Sequence, residues 1–235
     1  MNSEKILILD FGGQYNQLIA RRVRECSVYC EMLPYYTDID TIRAMDLKGI
    51  IFTGGPASVY GDDAPTLSLE IFRLGVPVLG ICYGAQLMTH LLGGSVESAD
   101  LREYGHTEIT TDPTSLLFDG VSSHTVCWMS HTDYVKTPAP GFRITAFSQS
   151  CPAAAFEDAA RRFYAVQFHP EVVHTKEGTR MLHNFLYKIC GCTGDWKMSS
   201  FVEDSIRTIR EKVGTGKVLC ALSGGVDSSV AAVLL

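Results

Sequence analysis

Short, unbroken apolar runs separated by amphipathic stretches organise the first half of the chain. Lys5–Leu9 is apolar from Ile6 onward and ends at Asp10-Phe11-Gly12-Gly13, which predicts a buried strand and a turn. Tyr15, Leu18, Ile19 and Val23 then recur at helical spacing, on a helix ending near Cys26. Val28, Cys30 and Met32 alternate as in a strand. Gly49–Phe52 is a further buried strand, closed by Thr53-Gly54-Gly55-Pro56. Leu67–Leu74 reads as a helix, Pro77–Gly80 as a strand, and Gly84–Leu92 as a helix stopped by Gly93-Gly94. Alternation of this kind predicts an α/β fold, with an open, mostly parallel sheet and helices on both faces.

From about Gly105 the rhythm changes. Thr107–Thr110, Thr125–Met129, Phe142–Phe147, Ala153–Glu157 and Phe163–Phe168 are short β-like stretches separated by turn residues, and they predict an antiparallel extension of the same sheet. Glu177–Lys188 closes the unit as a helix, with Met181, Leu182, Phe185 and Leu186 on one side. The turn-rich Cys190-Gly191-Cys192-Thr193-Gly194-Asp195 marks a boundary. The expected organisation is a domain over 1–190, a linker over 191–200, and a second α/β unit over 201–235. In that second unit Val202, Ile206, Ile209 and Val213 make a helical stripe, Lys217–Leu222 reads as a strand, and Ser223–Ser229 is a glycine loop opening a helix. A single βα unit cannot form a domain by itself, so this part is expected to be the beginning of an incomplete domain.

Composition narrows the function classes. With 235 residues, 46% of them apolar, the chain can bury a sizeable core, and general disorder is excluded. No run of about 18 apolar residues exists, which argues against a membrane span, and Met1–Leu9 lacks the features of a secretory signal. The formal charge of −6, without a basic run, argues against nucleic acid as a partner. The eight cysteines are scattered. The close pairs Cys26/Cys30 and Cys190/Cys192 lack zinc-site spacing, so free thiols in a cytoplasmic protein, with no metal in the first domain, are expected.

Three motifs carry chemistry. Gly80-Ile81-Cys82-Tyr83-Gly84 lies between a predicted strand and a predicted helix. Small residues flanking a sharp turn there present the sulfur at its tip, and the positive end of the helix favours the thiolate. His169-Pro170-Glu171 follows the strand Phe163–Phe168. Residues two apart in an extended segment share a side, so Glu171 can orient His169, and His169 can serve as the base for Cys82. Gly54-Gly55-Pro56 allows close approach of backbone to a ligand. The N–H of Gly55, with that of Tyr83 just after the cysteine, would make an oxyanion hole.

Together these motifs resemble the class I (triad) glutamine amidotransferases, which carry a Gly-Gly-Pro turn, a G-x-C-x-G-x-Q elbow and a His-Pro-Glu end in this order. The resemblance implies a flavodoxin-like fold and cofactor-free hydrolysis of glutamine to glutamate and ammonia, with Cys82, His169 and Glu171 as catalytic residues. It also implies that Gln86 contacts substrate glutamine and that Ser130-His131-Thr132-Asp133 holds its amino-acid end, through Ser130, His131 and Asp133. Ala85 stands where many members of the nearest branch have Met, which bears on packing and not on chemistry.

The second unit has its own motif. Ser223-Gly224-Gly225-Val226-Asp227-Ser228-Ser229 places Gly and Ser amides at a helix N-terminus, an arrangement that attracts phosphate. It is not a Walker A loop, because Gly216-Lys217 lacks the earlier Gly and the following Ser/Thr and precedes the strand. The motif resembles the PP-loop of ATP pyrophosphatases, which implies ATP binding by Ser223, Gly224, Gly225, Val226, Asp227, Ser228 and Ser229, with Asp227 near Mg²⁺. An amidotransferase joined to a PP-loop resembles the glutamine-hydrolysing GMP synthetase family. Supporting stretches are Ile8–Tyr15, Arg102-Glu103-Tyr104-Gly105, Phe168–Val172 and Cys190-Gly191-Cys192. That resemblance implies ATP-dependent amination of xanthosine monophosphate (XMP) to GMP with ammonia from the first domain. It also implies a homodimer at full length, with this chain carrying only the glutaminase half. Two other readings are a stand-alone γ-glutamyl hydrolase, which would have no use for a PP-loop, and a silent nucleotide-binding or regulatory module, which would have no need of Cys82, His169 and Glu171.

Overall fold

The computed structural model describes residues 4–235, with the side chains of residues 99–103, 200 and 201, Arg102 and Glu103 among them, outside the description. Contacts divide the chain after Gly194 into two compact units. The first holds a nine-stranded sheet built from β1 (Lys5–Asp10), β2 (Tyr29–Pro34), β3 (Leu47–Phe52), β4 (Val78–Ile81), β5 (Ser95–Thr111), β6 (His124–Thr137), β7 (Arg143–Phe147), β8 (Ala155–Asp158) and β9 (Phe163–Val166). Their spatial order is β2-β1-β3-β4-β9-β8-β7-β5-β6. The first five in that order run parallel, and the other four pair antiparallel.

The apolar runs have a simple cause. Successive strand residues point to opposite faces, and here both faces are covered. Ile6, Ile8, Ile51, Leu79, Ile81 and Val166 pack on one side with Ile19 and Val23 of α1 (Asn16–Glu25) and Met181, Leu182 and Phe185 near α4 (Gly178–Asn184). Leu7, Leu9, Ile50, Phe52, Val78 and Ala165 pack on the other with Ala85, Leu87 and Met88 of α3 (Tyr83–Leu91) and Ile42 of α2 (Ile39–Arg43). Among the described residues no helix is long and apolar enough to cross a membrane.

Several elements differ from the sequence reading. Phe163–Phe168 is not part of the antiparallel extension alone: β9 lies parallel to β4, with Gly80 opposite Ala165 and Ile81 opposite Val166. Its run is apolar because it is a central strand. Thr107–Thr110 and Thr125–Met129 are fragments of the long hairpin β5–β6, whose polar, half-exposed outer residues hide its length from an apolar count. Leu67–Leu74 forms only a 3₁₀ segment, Leu69–Arg73, and the closing helix ends in a π turn over Phe185–Ile189.

In the second unit α5 (Met198–Val213) and α6 (Val226–Leu234) form as expected, α5 starting inside the stretch expected as linker. Lys217–Leu222 forms no strand. A strand exists only through its ladder, none of the described residues of this unit offers one, and Leu219 is 97% exposed.

The turn between β4 and α3 is set by close packing. A methyl group at Gly84 would lie 2.6 Å from both Cβ and O of Phe52, and one at Gly80 would meet the backbone of Gly84 and Ala85 at 2.8 Å. Both contacts are with rigid backbone or core. Gly84→Ala is therefore expected to destabilise the protein by about 2–3 kcal/mol through overpacking. Urea denaturation checks this; an unchanged midpoint would mean that α3 shifts freely against β3.

Candidate active site

The ends of β1, β3, β4 and β9 lie side by side, and the loops leaving them line one cleft of about 420 Å³. Ligands of open α/β sheets bind at this carboxyl end, where the chain order reverses between β1 and β3. Gly12–Asn16 comes from β1, Gly54–Ala57 from β3, Cys82 from β4 and His169 from beyond β9, while Ser130–Asp133 of β6 closes the far side.

Cys82 sits at the junction of β4 and α3 with φ +51° and ψ −108°, in a region that L-residues rarely occupy. Its N–H donates to Val166 O at 2.8 Å, and its carbonyl accepts the amides of Ala85 and Gln86, so both sides hold the strained residue in place. Its Sγ lies 3.8 Å from Ser130 O and 3.7 Å from Gln167 Nε2.

His169 Nδ1 is 2.7 Å from Glu171 Oε1, and the two side chains are 7% and 0% exposed. The segment that carries them is fixed along the free edge of β6. The His169 N–H donates to Trp128 O, Lys176 N–H to Val126 O, and the Thr175 hydroxyl to His169 O while accepting from Trp128 N–H. Arg22 Nε donates to Glu171 O at 3.0 Å, and Tyr15 packs edge-on against the His169 ring. Burial by itself would lower the His169 pKa. Its hydrogen bonds with Cys82 and Glu171, and the charges those groups carry, outweigh this and raise it to about 10.

Gly54 separates the two halves of the site: a methyl there would lie 3.1 Å from His169 Cε1 and 3.7 Å from Cys82 Cβ. One at Gly55 would meet Phe11 O at 2.7 Å and the Tyr83 ring at 3.3 Å. The glycines of the turn are thus required by close approach, which brings the Gly55 backbone against Tyr83. Tyr83 is the first residue of α3, whose initial amides have no acceptor within the helix.

Gln86, His131 and Asp133 are all buried at the cleft, and Ser130 and Thr132 line it. Both amide hydrogens of Gln86 are committed, to Asp133 O at 2.6 Å and to Gln167 Oε1 at 3.3 Å. Burial pushes the His131 pKa down to about 4. Between that value and the unfolded value near 6.5, the unfolded chain binds a proton that the folded chain rejects. Stability should therefore fall as pH drops from about 6.5 to 4, by up to about 1.4 kcal/mol per unit from this residue. Urea unfolding at pH 7 and pH 5 of the wild type and His131→Gln checks this; parallel losses in both would exclude His131 as the source.

Two contributors escaped the sequence reading. Gln167 is fully buried and touches the sulfur; its signal was a lone amide within the apolar run Phe163–Phe168. Thr175, which ties His169 to β6, had no sequence signal.

In the second unit, Ser223–Ser229 gathers at the N-terminus of α6, with Gly224 at φ +81°. The Ser223 hydroxyl accepts from Gly225 N–H, and the hydroxyls of Ser228 and Ser229 each donate to Gly225 O at 3.0 Å. Asp227 is exposed in the first helical turn.

The fold has clear structural counterparts. A protein provisionally described as a GMP synthase subunit from Thermoplasma acidophilum superposes with a TM-score of 0.68 at 30% identity, covering 90% of this chain and 99% of that one. A glutamine amidotransferase from Thermotoga maritima superposes with a TM-score of 0.62 at 15% identity over 81% and 99%, a likeness of fold alone. The model of the family Glutamine amidotransferase class-I matches residues 7–189, and the chain belongs to that family. It is 63% identical over its whole length to GMP synthase [glutamine-hydrolyzing] of Clostridium botulinum (strain Alaska E43 / Type E3) and 64% identical to that of Acetivibrio thermocellus, and it covers 46% of each. The chain thus spans about half the length of these curated relatives.

Proposed function

We propose that the protein hydrolyses the side-chain amide of glutamine, and that the ammonia serves an ATP-dependent amination of XMP to GMP in the complete enzyme. The observation that carries the first half is the strained Cys82 held between β4 and α3 with the buried His169–Glu171 pair beside it. Cys82 attacks the carboxamide carbon as thiolate. His169, held as imidazolium beside the thiolate, hands a proton to the departing ammonia, and Glu171 orients and supports that cation. The oxyanion formed at the carbonyl meets the Gly55 and Tyr83 amides. A water then attacks the thioester, with His169 as base, and releases glutamate. Gln86, with both amide hydrogens committed inside the protein, meets the substrate through Oε1, while Ser130, His131 and Asp133 frame its amino-acid end.

The second half rests on identity to the GMP synthases over the whole chain and on the Ser223–Ser229 loop at a helix N-terminus, which suits the phosphates of ATP. Mg²⁺ takes hard oxygen ligands, commonly one or two carboxylates with phosphate oxygens, and the exposed Asp227 fits that role. Mg²⁺ would neutralise phosphate charge there, and Asp227 would hold it. The eight free thiols suit a cytoplasmic setting, and a homodimer is the proposed state of the complete enzyme. The test is release of equal amounts of glutamate and ammonia from glutamine by the purified protein, and, in the complete enzyme, XMP-dependent GMP formation from either glutamine or added ammonium. Ammonium-supported synthesis without glutamine use would refute the first half, and glutaminase without XMP amination the second.

A further inference from the structure

We infer that Gln167 is a positioning residue that supplies the sulfur of Cys82 with a fixed, uncharged hydrogen-bond donor and couples it to Gln86. The inference rests on the reading of Cys82 as nucleophile. Gln167 is fully buried, and its main chain is pinned by donation of its N–H to Ala154 O at 2.8 Å. Its side chain bridges Gln86 Nε2, at 3.3 Å from Oε1, and Cys82 Sγ, at 3.7 Å from Nε2.

The direction of this bridge is dictated from outside it. Asp133 O is a carbonyl and can only accept, so the Gln86 group 2.6 Å away must be its NH₂. The second hydrogen of that NH₂ points at Gln167, which must therefore turn its oxygen toward Gln86. Its own NH₂ is left facing Cys82. A main-chain carbonyl of β6 thus sets the polarity of a row of amides that ends on the sulfur, and bonds aligned in this way strengthen one another.

The sulfur then has a partner in each protonation state. As a thiol it donates to Ser130 O, and as a thiolate it accepts from Gln167. Unlike His169, Gln167 exchanges no proton with the sulfur, so its donor persists through every step in which the sulfur is negatively charged. Because Gln86 reaches into the same cleft, the bridge also links substrate contact to the nucleophile.

The test compares Gln167→Met, which keeps the bulk and removes the donor, with Gln167→Glu, which keeps the shape and sets an anion against the sulfur. One readout is the iodoacetamide alkylation rate of Cys82 at pH 7, read by mass spectrometry of its peptide, with the exposed Cys220 as internal standard. The other is kcat and KM for glutamine. Loss of a hydrogen bond to a charged group should slow alkylation and lower kcat about tenfold in Gln167→Met, with KM within about threefold, and Gln167→Glu should be slower still. Unchanged Cys82 alkylation in the variants, or a loss confined to KM, overturns the inference. Should Gln167→Met not fold, Gln167→Glu, differing by one atom, decides alone: wild-type alkylation refutes the role and slowed alkylation supports it. Alkylation needs no turnover, so a wild-type protein that hydrolyses no glutamine would refute the proposed function and still leave the effect of Gln167 on the sulfur measurable.

Discussion

Cys82→Ala should abolish glutamine hydrolysis, by a factor of at least about 10⁴, and leave the protein folded. The rate loss follows from chemistry. In the proposed mechanism the Cys82 thiolate forms the covalent bond to the substrate, and without that bond the oxyanion donors have no intermediate to stabilise. The retained fold follows from geometry. Alanine keeps the Cβ, so the positive φ of 51° is no more strained than before, and the glycines on either side stay in their close contacts. What the core loses is one sulfur with weak contacts to Ser130 and Gln167. Circular dichroism and thermal melting check the fold, and coupled assay of glutamate checks the rate. Activity above a hundredth of wild type in the folded variant would remove Cys82 from the role of nucleophile. In the complete enzyme the same variant should still make product from added ammonium, because the proposed nucleotide site belongs to other residues.

Most of the architecture, and the grouping of most candidate site residues, are legible in the sequence, for identifiable reasons. Parallel strands buried on both faces leave continuous apolar runs, so β1, β3 and β4 can be read directly. Cys82 and His169 carry their own punctuation: Gly80 and Gly84 are required by contacts of 2.8 Å and 2.6 Å, and Pro170 stands between His169 and Glu171. What escapes is information held between distant segments. The length of β5 and β6 comes from pairing with each other, which their mixed polarity does not announce. Lys217–Leu222 has the composition of a strand and lacks a neighbour to pair with among the described residues of its unit. Gln167 directly follows β9, and only the approach of Gln86 and Cys82 gives its amide a direction.

Glu171→Gln should slow hydrolysis by about 10²–10³, and His169→Ala by about 10⁴ or more. In the proposed mechanism His169 performs the proton transfers, each typically worth about 10²–10⁴-fold. Glu171 moves no proton in that mechanism; its proposed part is to orient the ring and stabilise its cation. Glutamine retains an oxygen to accept from Nδ1, 2.7 Å away in the wild type, and loses the negative charge. Its new NH₂ enters a place where Glu171 Oε2 has no hydrogen-bond partner among the described residues, so the replacement also buries an unsatisfied donor. A second readout separates charge from shape. The folded state holds the His169 proton up to about pH 10, whereas the unfolded chain releases it near 6.5. The stability this confers is complete below about pH 6.5 and lost as pH rises towards 10. Removing the Glu171 charge should draw the upper end of that window downward, so the variant loses its stability advantage at lower pH. Steady-state kinetics and urea unfolding between pH 6 and 10 measure both effects. If Glu171→Gln is as slow as His169→Ala, the pair acts as one unit and orientation is too small a role. If it is fully active with an unchanged stability profile, Glu171 is not the partner of His169, and the support for the imidazolium must come from Cys82 alone.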